Sequence, residues 1–227
     1  MACLRSDLGS VLRAPIFWIM CGLCVLTCLA TLSEVDESFG THAWPVTYHV
    51  AELLRSMSML FIVVLITFYC GELYWRDRDS DVHGILNALP TRSRARILAH
   101  PVAMVGIGAV VLVLMALSGI ITQLGMGYTD LRPALYLASF IGPGLVAFAF
   151  WSMLALAIQM LVHHKYIGMG LFVLVFAANL FVWDYLKLNS NLVVLFGSPR
   201  LLYSDMKGLG ALIVSWLFFR TYWLAFA

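Results

Sequence analysis

The sequence predicts an all-α, polytopic integral membrane protein with about six transmembrane helices and a cytoplasmic amphipathic helix between the second and third. Three observations carry this. The 227 residues are 62% hydrophobic and only 11% charged, against roughly 45–50% apolar and about 25% charged for a soluble domain. Mean hydropathy is +0.92. The few charges fall between uncharged runs of the length that crosses a bilayer, about 17–25 residues.

The first span is expected from about 15 to 32, with Pro15 at its start, where a missing N–H does no harm. The second covers about 54–70 and the third about 101–124. The fourth, about 134–162, is longer than a span needs, and Gly142-Pro143-Gly144 is expected to kink or divide it. The fifth covers about 166–183 and the sixth about 209–227. Because the last apolar run reaches Ala227 without a basic anchor, the natural polypeptide is expected to continue. Between the fifth and sixth spans, the outer segment 184–206 carries an apolar stretch, Leu192 to Phe196. A short interfacial or re-entrant helix is expected there. The whole chain, 1–227, reads as one transmembrane domain.

Basic residues set the orientation. With the N-terminus inside, Arg5, Arg13, Arg76, Arg78, Arg92, Arg94, Arg96 and Lys165 are cytoplasmic, and the first outer loop holds Glu34, Asp36 and Glu37. A net charge of +2 is too small for a nucleic-acid surface. The first run is followed by acidic residues rather than a small-residue cleavage site, so it reads as a retained helix. Cys21, Cys24 and Cys28 share one helical face as packing residues, without metal-ligand spacing.

Polar residues near the spans have two readings. Gln123, Gln159 and Asn179 are either pathway residues or, more simply, hydrogen-bond partners between helices. Glu52 and Arg55, one turn apart, read as a local ion pair. His163-His164-Lys165 reads as a solvated inner turn. Arg220, inside the last run, is expected near its inner end.

The most informative stretch follows the second span, from Gly71 to Pro90. Arg76, Asp77, Arg78, Asp79 and Asp81 form a mixed-charge cluster. Val82, Ile85, Leu86 and Leu89 then recur at helical spacing, and Pro90 ends the segment because it cannot continue the hydrogen-bond ladder. Thr91 is placed to cap the helix that follows.

This order of span, charged cluster, amphipathic helix, Leu-Pro, basic stretch and span resembles the permease subunit of ABC-2 type transporters. Tyr69-Cys-Gly-Glu-Leu-Tyr-Trp-Arg-Asp-Arg, Asn87-Ala-Leu-Pro90, Lys165-Tyr-Ile-Gly168 and Tyr203-Ser-Asp-Met-Lys-Gly-Leu-Gly210 are similar to a branch in which permease segments are fused to an M1-type aminopeptidase-like domain. The resemblance implies a coupling segment at 71–100. Its candidate residues are Glu72, Arg76, Arg78, Asp81, Val82, Ile85, Leu86, Leu89 and Pro90. It also implies an ABC ATPase subunit as partner, a second permease unit in a homodimer or pseudo-dimer, and residence in the lipid bilayer of a bacterial inner membrane. No His-Glu-x-x-His or G-x-x-x-x-G-K-[ST] pattern occurs. The chain is therefore expected to bind no cofactor and perform no bond chemistry, with ATP and Mg on the partner ATPase. The alternative is a non-transporting membrane scaffold that anchors a partner protein.

Overall fold

The computed structural model describes residues 2–33, 45–79, 93–187, 190–199, 201, 203 and 208–226. Its elements are α1 (Ala2–Arg13), α2 (Pro15–Ser33), α3 (Thr47–Asp79), α4 (Ser93–Gly125), α5 (Pro133–Leu161), α6 (Lys165–Tyr185) and α7 (Gly210–Leu224). No strand is present among the described residues. In hydrocarbon, where no water can bond the backbone, a helix satisfies its polar groups internally.

Four helices are long and apolar enough to cross a membrane, and a fifth span results if α1 and α2, bent by 66°, count as one. The sixth expected stretch behaves differently. It folds into a 15-residue helix, α7, about 22 Å long at 1.5 Å per residue against about 30 Å of hydrocarbon. The second and third expected spans are longer than hydropathy indicated, 33 residues each, because both continue beyond their apolar stretches into charged turns.

α3, α4 and α5 form the centre, with α2 against α3 and α4, and α6 against α3 and α5. Their shared core includes Ile66, Tyr69, Met104, Ile107, Leu112, Phe148 and Phe172, all nearly inaccessible. Cys21, Cys24 and Cys28 lie on the buried face of α2 in the same core and form no disulfide, in keeping with their expected packing role.

Prolines explain both distortions. Pro15 cannot donate to the Val11 carbonyl one turn earlier, and the Ala14 N–H takes that acceptor instead at 3.0 Å. Trp18 Nε1 covers the Leu12 carbonyl at 2.8 Å, and the chain turns between α1 and α2. In α5, the expected break at 142–144 is a π turn over Tyr136–Ile141, where the Gly142 N–H reaches back to the Leu137 carbonyl. The helix runs on as one span. Pro143 leaves the Ser139 carbonyl without its α-helical donor, and the Arg55 guanidinium of α3 donates to that oxygen. Arg55, read from the sequence as half of a local pair with Glu52, ties α3 to α5 through this bond.

Residues 190–199 form turns rather than the expected short helix. Their apolar part returns into the bundle: Phe196, at φ +55°, stacks on Phe150 and meets Trp151 and Trp223 edge-on. Backbone packed this way needs donors and acceptors from its neighbours. Asn179 Oδ1 accepts the Leu195 N–H at 2.8 Å. Trp223 Nε1 donates to the Asn191 and Gly197 carbonyls. Arg220 donates to the Phe196 carbonyl and to Ser198 Oγ.

Candidate functional site: a polar clamp at one end of the bundle

The end of the bundle where the chain begins gathers α1, the last turns of α3, the first described side chains of α4, the end of α5 and the start of α6. At about 100° per residue, positions i, i+3 and i+4 share one broad face of a helix. Glu72, Trp75 and Arg76 lie on such a face of α3, and each reaches a different neighbour.

Arg76 reaches α1. Its Nη2 lies 2.5 Å from Asp7 Oδ1, and its Nη1 donates to Ser10 Oγ at 2.6 Å. Ser10 Oγ in turn donates to the Asp7 backbone carbonyl at 2.8 Å. Asp7 is 3% exposed. Its other oxygen lies 3.2 Å from His100 Nδ1 of α4. The buried Asp7 carboxylate thus faces one side chain of α3 and one of α4.

Trp75 reaches α5. Its Nε1 donates to Gln159 Oε1 at 2.9 Å, with both side chains buried. The amide is pressed against α6: a methyl at Gly168 would stand 2.4 Å from Gln159 Oε1. Only a residue without a side chain allows that approach. Glu72 reaches the start of α6, where Lys165 Nζ donates to its Oε2 at 2.7 Å. Glu72 is 43% exposed, so water screens this pair and it acts mainly as a register mark.

Of the coupling candidates, Glu72 and Arg76 thus sit in this clamp. Arg78 lies in the last turn of α3, and Asp81, Val82, Ile85, Leu86, Leu89 and Pro90 lie outside the described residues. Asp7, His100 and Trp75 were not singled out from the sequence. Their only signal is depth: each lies close to the same end of an apolar stretch, so helices packed in antiparallel order bring them level. Exposed His163 and His164 form the turn before α6, as the solvated reading expects.

The three intramembrane amides do not share a lane. Gln159 belongs to the clamp. Gln123 is fully buried at the opposite end, where its Nε2 donates to the Pro45 carbonyl at 2.7 Å and its Oε1 accepts from the Tyr136 hydroxyl at 2.8 Å. Asn179 accepts from Trp183 Nε1 and Leu195 N. Each joins separate pieces of chain. Arg220 is 8% exposed; besides its bonds to the 196–198 turn, it lies over the rings of Phe150 and Trp216. The clamp is a mechanical junction, with five helices tied through one helix end. Comparisons with protein-family models, curated proteins and solved structures find no match.

Proposed function

We propose that the chain is the membrane-spanning permease subunit of an ATP-driven ABC-2 type exporter, with six spans when α7 is counted as one. The proposal rests on the resemblance of residues 69–90 and on one structural observation that supports it. The helix entering the expected coupling segment is tied by Arg76 to α1, by Trp75 to α5 and by Glu72 to α6. Through Asp7 it also meets α4. A displacement delivered at residues 80–90 by a separate ATPase is then carried to the bundle as a rigid-body shift rather than absorbed locally. The chain performs no bond chemistry, and ATP and Mg reside on the partner. The N-terminus is cytoplasmic, and the pathway forms between two such units.

The test is partner capture in mild detergent from the native membrane, together with Ile85→Asp and Leu86→Asp. The expected result is recovery of a P-loop ATPase by the wild type and loss of that ATPase from the double variant, which still inserts. ATP-driven export unchanged in the double variant removes the coupling assignment. The scaffold alternative draws on α6, where only 17% of the spanning window is buried, leaving a long apolar face. Recovery of a different membrane or peptidase partner, with no ATPase, selects that reading.

A further inference from the structure

α1 meets both helices that flank the expected coupling segment. Its buried Asp7 faces Arg76 in the last turn of α3 and His100 in the second turn of α4. In the chain, the stretch 80–92 joins those two helices. A change in the separation of α3 and α4 at this end therefore pulls on α1 from two sides.

α1 passes into α2 through a 66° bend. A proline junction is compliant by itself, because Pro15 supplies no N–H to hold the turn before it. Here a side chain braces it. The Trp18 indole, in the first turn of α2, donates to the Leu12 carbonyl in the last turn of α1 at 2.8 Å. The corner is also seated in the core. Phe17 is fully buried and meets Trp18 edge-on at 5.6 Å and Tyr69 of α3 at 5.9 Å. The bend thus has a brace and a fixed pivot.

Beyond the pivot, α2 is held on one side. Its packed face carries Cys21, Cys24 and Cys28, short side chains that raise only shallow ridges against α3 and α4. On the opposite face Ile19, Leu23 and Leu26 are more than half exposed. From Asp7 to Pro15 the chain rises about 12 Å, and from Pro15 to Leu29 about 21 Å, at 1.5 Å per residue. A shift of about 2 Å at Asp7 becomes about 3–4 Å at Leu29 if the angle is kept.

We infer that α1 and α2 form a bent lever. Asp7 is where relative motion of α3 and α4 enters, Phe17 is the pivot, Trp18 keeps the angle, and the far end of α2 is the arm that moves. The lever rests on the exporter reading for the source of that motion. It extends the motion to α2, which none of the clamp's bonds reaches directly.

The experiment uses the full chain in phospholipid nanodiscs and needs no ATPase. Spin labels go on ketone-bearing amino acids, which leaves the native cysteines in place. One pair, Gly9 and His164, follows α1; an added side chain at Gly9 meets open space. The other pair, Leu29 and Phe181, follows the far end of α2 against α6. Asp7→Asn is expected to change the first distance, and to shift the second by at least about 3 Å. Trp18→Phe keeps a ring and removes the indole N–H. In the Asp7→Asn, Trp18→Phe double variant the first distance should still change, while the second stays at its Trp18→Phe value. Should Asp7→Asn fail to fold, Arg76→Gln opens the same contact from the α3 side. A moved α1 with an unmoved α2 overturns the lever, and so does an equal shift of α2 with and without the Trp18 indole. No change in either distance overturns Asp7 as the point of entry. Because ATP and partner capture play no part, these outcomes are separate from the failure of the exporter reading.

Discussion

Replacing Asp7 with Asn keeps the side chain's volume and removes its charge. The carboxylate is 4% exposed and faces Arg76 at 2.5 Å and His100 at 3.2 Å. A hydrogen bond to a charged group contributes about 1.5–3 kcal/mol, and removing one partner of a fully buried pair costs about 3–5 kcal/mol. The Arg76 side chain is 32% exposed, so water recovers part of the loss. The expected destabilisation is about 2 kcal/mol. Reversible unfolding in mixed micelles measures it, and a double-mutant cycle with Arg76→Gln assigns it to the pair. Coupling of about 1–2 kcal/mol is expected. Additivity within about 0.3–0.5 kcal/mol, the behaviour of independent sites, refutes the clamp as an energetic unit.

Two further perturbations read the helix junctions. Gly168→Ala should cost more than Gly71→Ala. The new methyl at 168 strikes Gln159, whose Oε1 is held by Trp75, whereas the one at 71 strikes the flexible end of Met169. A gap of about 1 kcal/mol or more is expected, and a costlier Gly71→Ala contradicts the role of Gln159. Arg55→Met should be destabilising in the wild type and markedly less so beside Pro143→Ala, which returns an N–H for the Ser139 carbonyl. Equal costs in both backgrounds show that Arg55 does not serve that oxygen.

How much of the site was legible depends on what a sequence pattern reports. Periodicity gives the direction of a side chain around its own helix and not the neighbour it meets. Arg76 was visible as part of a charged cluster, but its partner Asp7 is 69 residues away. Trp75 meets Gln159 across 84 residues and Glu72 meets Lys165 across 93. Gln123, Gln159 and Asn179 were recognisable as exceptional because a polar group in hydrocarbon must find a partner. Which partner it found was not written in their spacing.

The sequence by itself determined that this chain is helical and apolar enough to enter a membrane several times. Long uncharged runs leave the backbone no other way to satisfy its hydrogen bonds, and this constraint acts on each segment alone. Tertiary structure decided the rest. It kept α5 continuous, because Arg55 arrives from another helix to serve the carbonyl that Pro143 abandons. It folded Leu192 to Phe196 into turns against Phe150 and Trp151, because Asn179, Arg220 and Trp223 supply the bonds a helix would have made. It brought Asp7, Arg76 and His100 to one depth, because the packing of α1 on α4 and of α4 on α3 places residues from three distant stretches side by side.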